Sequence, residues 1–282
     1  MITLNNGILK VEITEIGAEI RRVLKNGEDR MWSGNPEYWS GVSPILFPIC
    51  SRLPDNEYSF NGKTYKMQMH GFASGLLFEV ESAEMDTAIF LLKSNAETLK
   101  MFPFEFELRI KYTLSFDKIL VEYFVLNKSE NTMYYSIGSH ESYACPEGIE
   151  AYDVVFEKEE VLKTALLEGP VFSGKYETIL EGGNTLSLKE DYFELDSLIF
   201  KNIKSKKVSL INRETNKTAN VFFPDSEYLL IWHPIGAPFI CIEPWQGICS
   251  TKGDSKDITK KEGIIALGSE KENTHTHILE FK

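Results

Sequence analysis

The chain has 282 residues, 43% of them hydrophobic, enough to bury a sizeable core as one large domain or two small ones. Its 42 acidic and 30 basic residues leave a net charge of −12, which argues against nucleic acid and anionic membrane surfaces as partners, since both would repel it. A phosphorylated small molecule held in a local basic pocket stays compatible with that charge.

In chain order, Ile8–Ile13 and Glu19–Leu24 read as an opening pair of strands ending at Asn26-Gly27. Tyr58-Ser59-Phe60, Asn61-Gly62 and Lys63–Met67 give the strongest hairpin signal, because Asn-Gly suits a turn that needs positive φ. Phe78–Ser82 pairs in the same way with Ala88–Lys93, and Ala96–Met101 reads as a single helical turn stopped by Pro103. Phe104, Phe106, Leu108, Ile110, Tyr112 and Leu114 recur at every second position, the pattern of a half-buried strand, and Ile119–Leu126 follows as its hairpin partner. Val208–Asn212 and Asn220–Phe223 flank a polar turn. No segment carries a sustained 3.6-residue apolar stripe, so the expectation is one all-β domain over residues 1–282, a large sandwich of antiparallel sheets.

No stretch approaches the roughly 20 apolar residues of a membrane span. The N-terminal segment lacks the basic and long apolar regions of a signal peptide, so a cytoplasmic protein is expected. Cys50, Cys145, Cys241 and Cys249 form no CxxC pair and read as reduced thiols rather than a disulfide frame or a zinc site.

Five histidines are candidates for chemistry. His70 lies in Met69-His70-Gly71-Phe72 after a hairpin, His140 ends an apolar run, and His233 precedes Pro234 at a strand end. Each is also readable as a hydrogen-bonded structural residue. His275 and His277 share one strand face, as metal ligands can, but an exposed polar strand near the chain end explains them as well. Glu243, in Phe239-Ile240-Cys241-Ile242-Glu243-Pro244-Trp245, is an acid set against an apolar strand, costly to bury unless paired or used. Burial would raise its pKa towards that of a general base, whereas Pro244 suggests a strand end and an outward-facing acid. Asp196 in Leu195-Asp196-Ser197-Leu198 poses the same question, and Arg52 follows a largely apolar segment from which its guanidinium can clamp hydroxyls or a carboxylate.

The run Trp39 to Ile49, then Arg52, Gly62-Lys63-Thr64-Tyr65, Met69-His70-Gly71-Phe72-Ala73, Gly138-Ser139-His140, Asp196-Ser197-Leu198-Ile199-Phe200, Trp232-His233-Pro234, Glu243-Pro244-Trp245-Gln246-Gly247 and Glu262–Leu267 resembles, in this order, the aldose 1-epimerase (galactose mutarotase) family. The likeness is greatest to its LacX-like bacterial branch. It implies a galactose mutarotase-like supersandwich with an open cleft, and interconversion of the α and β anomers of a free aldohexose without metal or cofactor. It assigns Glu243 as catalytic base and His140 as catalytic acid, with Arg52, His70 and Asp196 positioning the sugar. Trp232, Trp245 and Phe72 are candidates to pack on its C–H face. A hexose-6-phosphate 1-epimerase and a non-catalytic sugar-binding module are the alternatives on the same fold. Three departures bear on substrate choice: Ser74 stands where the branch usually has arginine, Ser51 where glycine is common, and Glu141 where proline is usual. Glu141 is in a position to raise the pKa of His140.

Overall fold

Period-two alternation folds here as it reads. In the computed structural model, which describes residues 1–169, 171–194 and 196–282, Phe106–Ser115 and Lys118–Asn127 form an antiparallel hairpin whose residues alternate between the core and the outer face. Asn61 and Gly62 both take positive φ, 48° and 75°, and join Glu57–Phe60 to Lys63–Lys66 as a two-residue turn of that kind requires. Leu9–Ile13 with Ile20–Lys25, Glu79–Ala83 with Thr87–Lys93, and Lys207–Asn212 with Thr218–Phe222 pair antiparallel as expected. Ala96–Met101 is a short α-helix capped by Asn95, whose side chain accepts from the Glu97 and Thr98 N–H groups.

These pieces assemble into a large antiparallel β-sandwich. A nine-stranded sheet runs from Thr185–Ser187 at one edge to Glu79–Ala83 at the other, with Glu272–Phe281 and Lys118–Asn127 in its interior. An eight-stranded sheet runs from Val171–Leu180 to Ile45–Leu46, with Tyr228–Trp232 and Phe239–Gln246 in its interior. Their inner faces share one core. Ile110, Val121 and Leu279 come from the first sheet and Leu229, Ile231, Ile240 and Ile242 from the second, none more than 1% exposed. Burying such side chains contributes on the order of 1.5–3 kcal/mol each.

A polar link joins the two sheets through this core. Glu141 Oε1 pairs with His277 Nε2 at 2.7 Å, while Glu141 Oε2 accepts from Ser139 Oγ at 2.6 Å. This corrects the expectation of an exposed terminal strand. The strand of His275 and His277 lies between Lys118–Asn127 and Thr218–Phe222, and His275 Nε2 is engaged by the Tyr135 hydroxyl at 2.8 Å.

The eight-stranded sheet is covered on both faces. Leu46, Ile199, Leu230 and Trp245 form a second apolar cluster on its outer side. Phe239–Gln246 is therefore buried at every position but the last and shows no alternation. The strand also runs through Pro244 rather than ending there.

The segment that brings His70 to this outer face is pinned by main-chain contacts. His70 N–H donates to Ser51 O at 2.9 Å, and Phe72 N–H donates to Phe47 O at 2.9 Å. Between them Gly71 adopts φ +74°, and a Cβ there would lie 2.2 Å from the Phe47 carbonyl oxygen. Gly71→Ala is expected to lower stability by at least about 3 kcal/mol, combining left-handed strain with backbone overlap. Urea unfolding checks this, and a loss below about 1 kcal/mol would contradict the close approach.

Candidate active site

The floor of the site is the outer face of the eight-stranded sheet. Along Phe239–Gln246, Ile240 and Ile242 point into the core, so Cys241, Glu243 and Trp245 take the opposite face. Two short strands, Ile137–Ser139 and Glu141–Ala144, pair with this one in a single register, Gly138 facing Trp245 and Glu141 facing Ile242. The ladder is interrupted between them, where Pro244 has no N–H to donate. Carried across the interruption, the register sets His140 opposite Glu243 on the same face. His140 Nε2 lies 3.4 Å from Glu243 Oε2.

Both groups are nearly removed from water. Glu243 is 2% exposed, and among the described residues nothing donates a hydrogen bond to its carboxylate. Burial pushes its pKa well above the usual carboxylate range, with the negative charges of Glu141 and Asp196 adding to the effect. Burial likewise pushes the His140 pKa well below that of free imidazole, with His70 acting in the same direction. Both shifts favour the neutral forms, a protonated carboxyl and an uncharged imidazole. Glu141 corrects the sequence expectation. It faces the sandwich core, acts on Glu243 rather than raising the pKa of His140, and is engaged by Ser139 and His277.

Three rings fix the plane of His140. Trp39 lies over it at 4.8 Å between centroids, while Trp232 and His70 meet it edge-on at 5.4 and 5.6 Å. His140 Nδ1 is buried and has no hydrogen-bond partner among the described residues. His70 is oriented from behind, its Nδ1 accepting the Ser51 N–H at 3.1 Å. Nε2 therefore carries the proton of the neutral ring. Burial, helped by Arg52, lowers the His70 pKa to about 4, so it offers an N–H without a charge.

Arg52 stands exposed at the cleft mouth with its Nε directed at Met69 Sδ, 2.9 Å away. Asp196 faces the same opening and takes φ +130°, a conformation strained for any residue with a side chain. Loss of water along the cleft wall raises its pKa despite Arg52 nearby. Leu195, which precedes it in the segment read from sequence, lies outside the described residues.

The structure thus brings Arg52, His70, His140, Asp196 and Glu243 to one cleft of about 470 Å³, within the range of small-molecule sites. Trp232 and Trp245 line it as expected. Phe72 does not; it is 3% exposed and packs against Phe47, Phe102 and Phe106 in the core. Trp39 and Phe172 line the cleft, and neither was singled out as a sugar contact from the sequence. Trp39 carried a signal only as the start of the family-like run. Ser74 is at the cleft, where an arginine would have added charge; among the described lining residues Arg52 is the one lysine or arginine. His233 is structural, with its ring nitrogens on Phe239 O at 2.7 Å and Glu190 Oε2 at 2.9 Å. Among the described residues one group of side chains is arranged as metal ligands can be, His140, Cys241 and Glu243, with ligand atoms within 4.8 Å of one another.

Comparison with known proteins bears on what such a cleft does. A family model described as aldose 1-epimerase matches residues 1–255. The plasmid-encoded protein LacX of Lactococcus lactis subsp. lactis is 32% identical over 284 residues, covering 94% of each chain. A galactose mutarotase related enzyme from Lactobacillus acidophilus superposes with a TM-score of 0.95 at 32% identity, over 99% of this chain and 96% of its own. A galactose mutarotase-like protein from Lactobacillus casei superposes at 0.94 with 30% identity, over all of both chains.

Proposed function

Since the chain belongs to the aldose 1-epimerase family, we propose that it interconverts the α and β anomers of a free aldohexose, with Glu243 as base and His140 as acid. The observation that carries this reading is the buried Glu243 carboxylate, which has no hydrogen-bond donor among the described residues and stands 3.4 Å from the His140 imidazole at the floor of an open cleft. A buried acid without a partner is costly unless a ligand supplies one.

In the proposed reaction the Glu243 carboxylate takes the proton of the anomeric hydroxyl while protonated His140 gives one to the ring oxygen. The C1–O5 bond breaks and the C1 carbonyl forms. Rotation about C1–C2 by about half a turn presents the other carbonyl face, and reclosure returns both protons. Atoms and charge balance over this cycle with two side chains and no metal or cofactor. The cyclic sugar meets ionised Glu243 and protonated His140; the open chain leaves a neutral carboxyl and a neutral imidazole. The second arrangement is the one that burial favours. Proton transfer from the Glu243 carboxyl to His140 therefore precedes ring opening, and contacts to the sugar offset its cost.

Arg52, His70 and Asp196 are proposed to position the sugar. The neutral His70 Nε2–H is suited to a hydroxyl or the ring oxygen, and Arg52 with Asp196 brackets the cleft mouth. The flat faces of Trp39 and Trp232 suit the C–H side of a pyranose. A free sugar is favoured over a hexose 6-phosphate because two carboxylates, Asp196 and Glu243, share the lining with a single guanidinium. We further propose that residues 1–282 work as one domain in the cytoplasm, without nucleic acid or membrane as partners. Among the described residues no helix is long and apolar enough to cross a membrane.

The test is polarimetry of freshly dissolved α-D-glucose and α-D-galactose, with α-D-glucose 6-phosphate alongside. Acceleration of a free sugar at least tenfold above buffer, with little on the phosphate, is expected. Acceleration confined to the phosphate would transfer the reading to hexose 6-phosphates. Saturable sugar binding without any acceleration would leave only a binding module.

A further inference from the structure

We propose that the same floor holds a regulatory site for a thiolate-preferring divalent cation, Zn²⁺ above all, bound by Cys241, His140 and Glu243, and that the ion switches off proton transfer by occupying the acid and base together. The inhibitory part of this proposal rests on the roles proposed for His140 and Glu243; the binding part does not.

Geometry comes first. Cys241 and Glu243 are two residues apart on one strand and share a face, and His140 projects from the neighbouring strand opposite Glu243. Three ligand atoms no more than 4.8 Å apart leave a point within about 2.8 Å of all of them, so small rotations reach zinc distances of about 2.0–2.3 Å. Cys241 and Glu243 come from a strand inside the sheet, and His140 sits in the break between two short strands that pair with it, so main-chain pairing on both sides places the three Cβ atoms without the ion.

The chemistry of the set selects the ion. A thiolate and a carboxylate cancel the charge of a divalent cation, and a neutral imidazole completes a complex with no net charge. Such a complex suits a site where Cys241 is fully buried and His140 and Glu243 are 9% and 2% exposed. Binding releases the thiol proton, together with the Glu243 proton when it is present. Sulfur and imidazole favour Zn²⁺ over Mg²⁺ or Ca²⁺. Three protein ligands leave a fourth position, on the cleft side, for water or a sugar hydroxyl.

The His140 nitrogens also limit how tightly the ion is held. With Nε2 on the metal, Nδ1–H has no acceptor among the described residues, since that atom is buried without a partner there. A histidine lacking its outer hydrogen bond binds metal about 10–100-fold less tightly. The site is therefore suited to reversible occupancy rather than to a resident ion. Cys241 has no part in the anomerisation. It packs behind the cleft with Trp32, Ala237 and Phe239, so it separates metal binding from catalysis.

Titration of the metal-free protein with Co²⁺ and Zn²⁺ tests the proposal. Co²⁺ is expected to give a near-ultraviolet thiolate-to-metal charge-transfer band at one ion per chain, displaced by Zn²⁺ and absent in Cys241→Ala. Zn²⁺ is expected to lower anomerisation at least tenfold, reversibly with a chelator. Cys241→Ala should keep its metal-free activity and need at least tenfold more Zn²⁺ for the same loss. No charge-transfer band in the wild type overturns the proposal, whether or not the variant folds. So does Zn²⁺ inhibition that Cys241→Ala leaves unchanged. A wild type that binds Co²⁺ with the band but never anomerises a sugar sinks the proposed function and leaves the metal site standing.

Discussion

Glu243→Gln is expected to reduce catalysed anomerisation by about 10³-fold or more, towards the buffer rate, and at the same time to make the protein harder to unfold at neutral pH. The first effect follows from removing the group proposed to accept the anomeric proton, since a positioned base typically contributes about 10²–10⁴-fold. The second follows from linkage. The folded-state pKa of Glu243 lies above its unfolded value because burial disfavours the ionised form. Between the two pKa values the folded protein keeps a proton that the unfolded chain releases, so the wild type loses stability as pH rises through that window, by about 1.4 kcal/mol per unit of displacement. Glutamine has no proton to keep. The variant should melt a few degrees higher at pH 7–8, at roughly 2–4 °C per kcal/mol. The two proteins should converge below about pH 4, where glutamate is protonated in both states. Calorimetry across pH 4–8 alongside polarimetry checks both halves. An active variant removes Glu243 from the mechanism, and a less stable variant at neutral pH contradicts the raised pKa of the buried carboxylate.

His140→Gln is expected to cost about 10²–10⁴-fold and, more tellingly, to change the shape of the pH profile. In the wild type the pair works with one proton. Activity should fall at low pH when the pair takes a second proton and at high pH when it gives up the only one, a bell-shaped curve. The alkaline limb should lie well above ordinary carboxylate titration because the Glu243 pKa is raised. Without His140 there is no acid to lose, and only the ionisation of Glu243 remains. The residual rate should then rise with pH and level off. A bell that survives in His140→Gln would assign the acid to another residue, with His70 the first to examine because its Nε2–H also faces the cleft.

Local chemistry explains which parts of this architecture are legible in the sequence. The hairpins at Asn61-Gly62 and at Phe106–Asn127 are encoded by turn residues and by alternation, and both are local. Phe239–Gln246 is less legible because a strand covered on both faces loses its alternation. Its sequence reveals an acid among apolar residues but not which face Glu243 takes. Pro244 reads as a terminator, yet the neighbouring strand absorbs the missing hydrogen bond by breaking at His140. The role of Glu141 was not legible either, because its partner His277 is 136 residues away in the other sheet. The same is true of His233, which is held by Glu190 from 43 residues upstream. The five site residues were gathered by their order in a family-like series, whereas Trp39 and Phe172 line the cleft through long-range packing that no short motif records.

The separation of His140 and Glu243 is set by strand register, whereas Arg52, His70 and Asp196 reach the cleft from segments outside the sheet ladder. A one-residue insertion or deletion in Phe239–Gln246 would exchange the two faces of the strand and turn the carboxylate into the core. Loop changes carry no such penalty. Chemistry and selectivity are therefore inherited on differently tolerant parts of the chain. Descendants of this scaffold can acquire new sugars by varying positions such as Ser74 and Ser197 at the rim, while the strand that carries the reaction stays closed to changes of length.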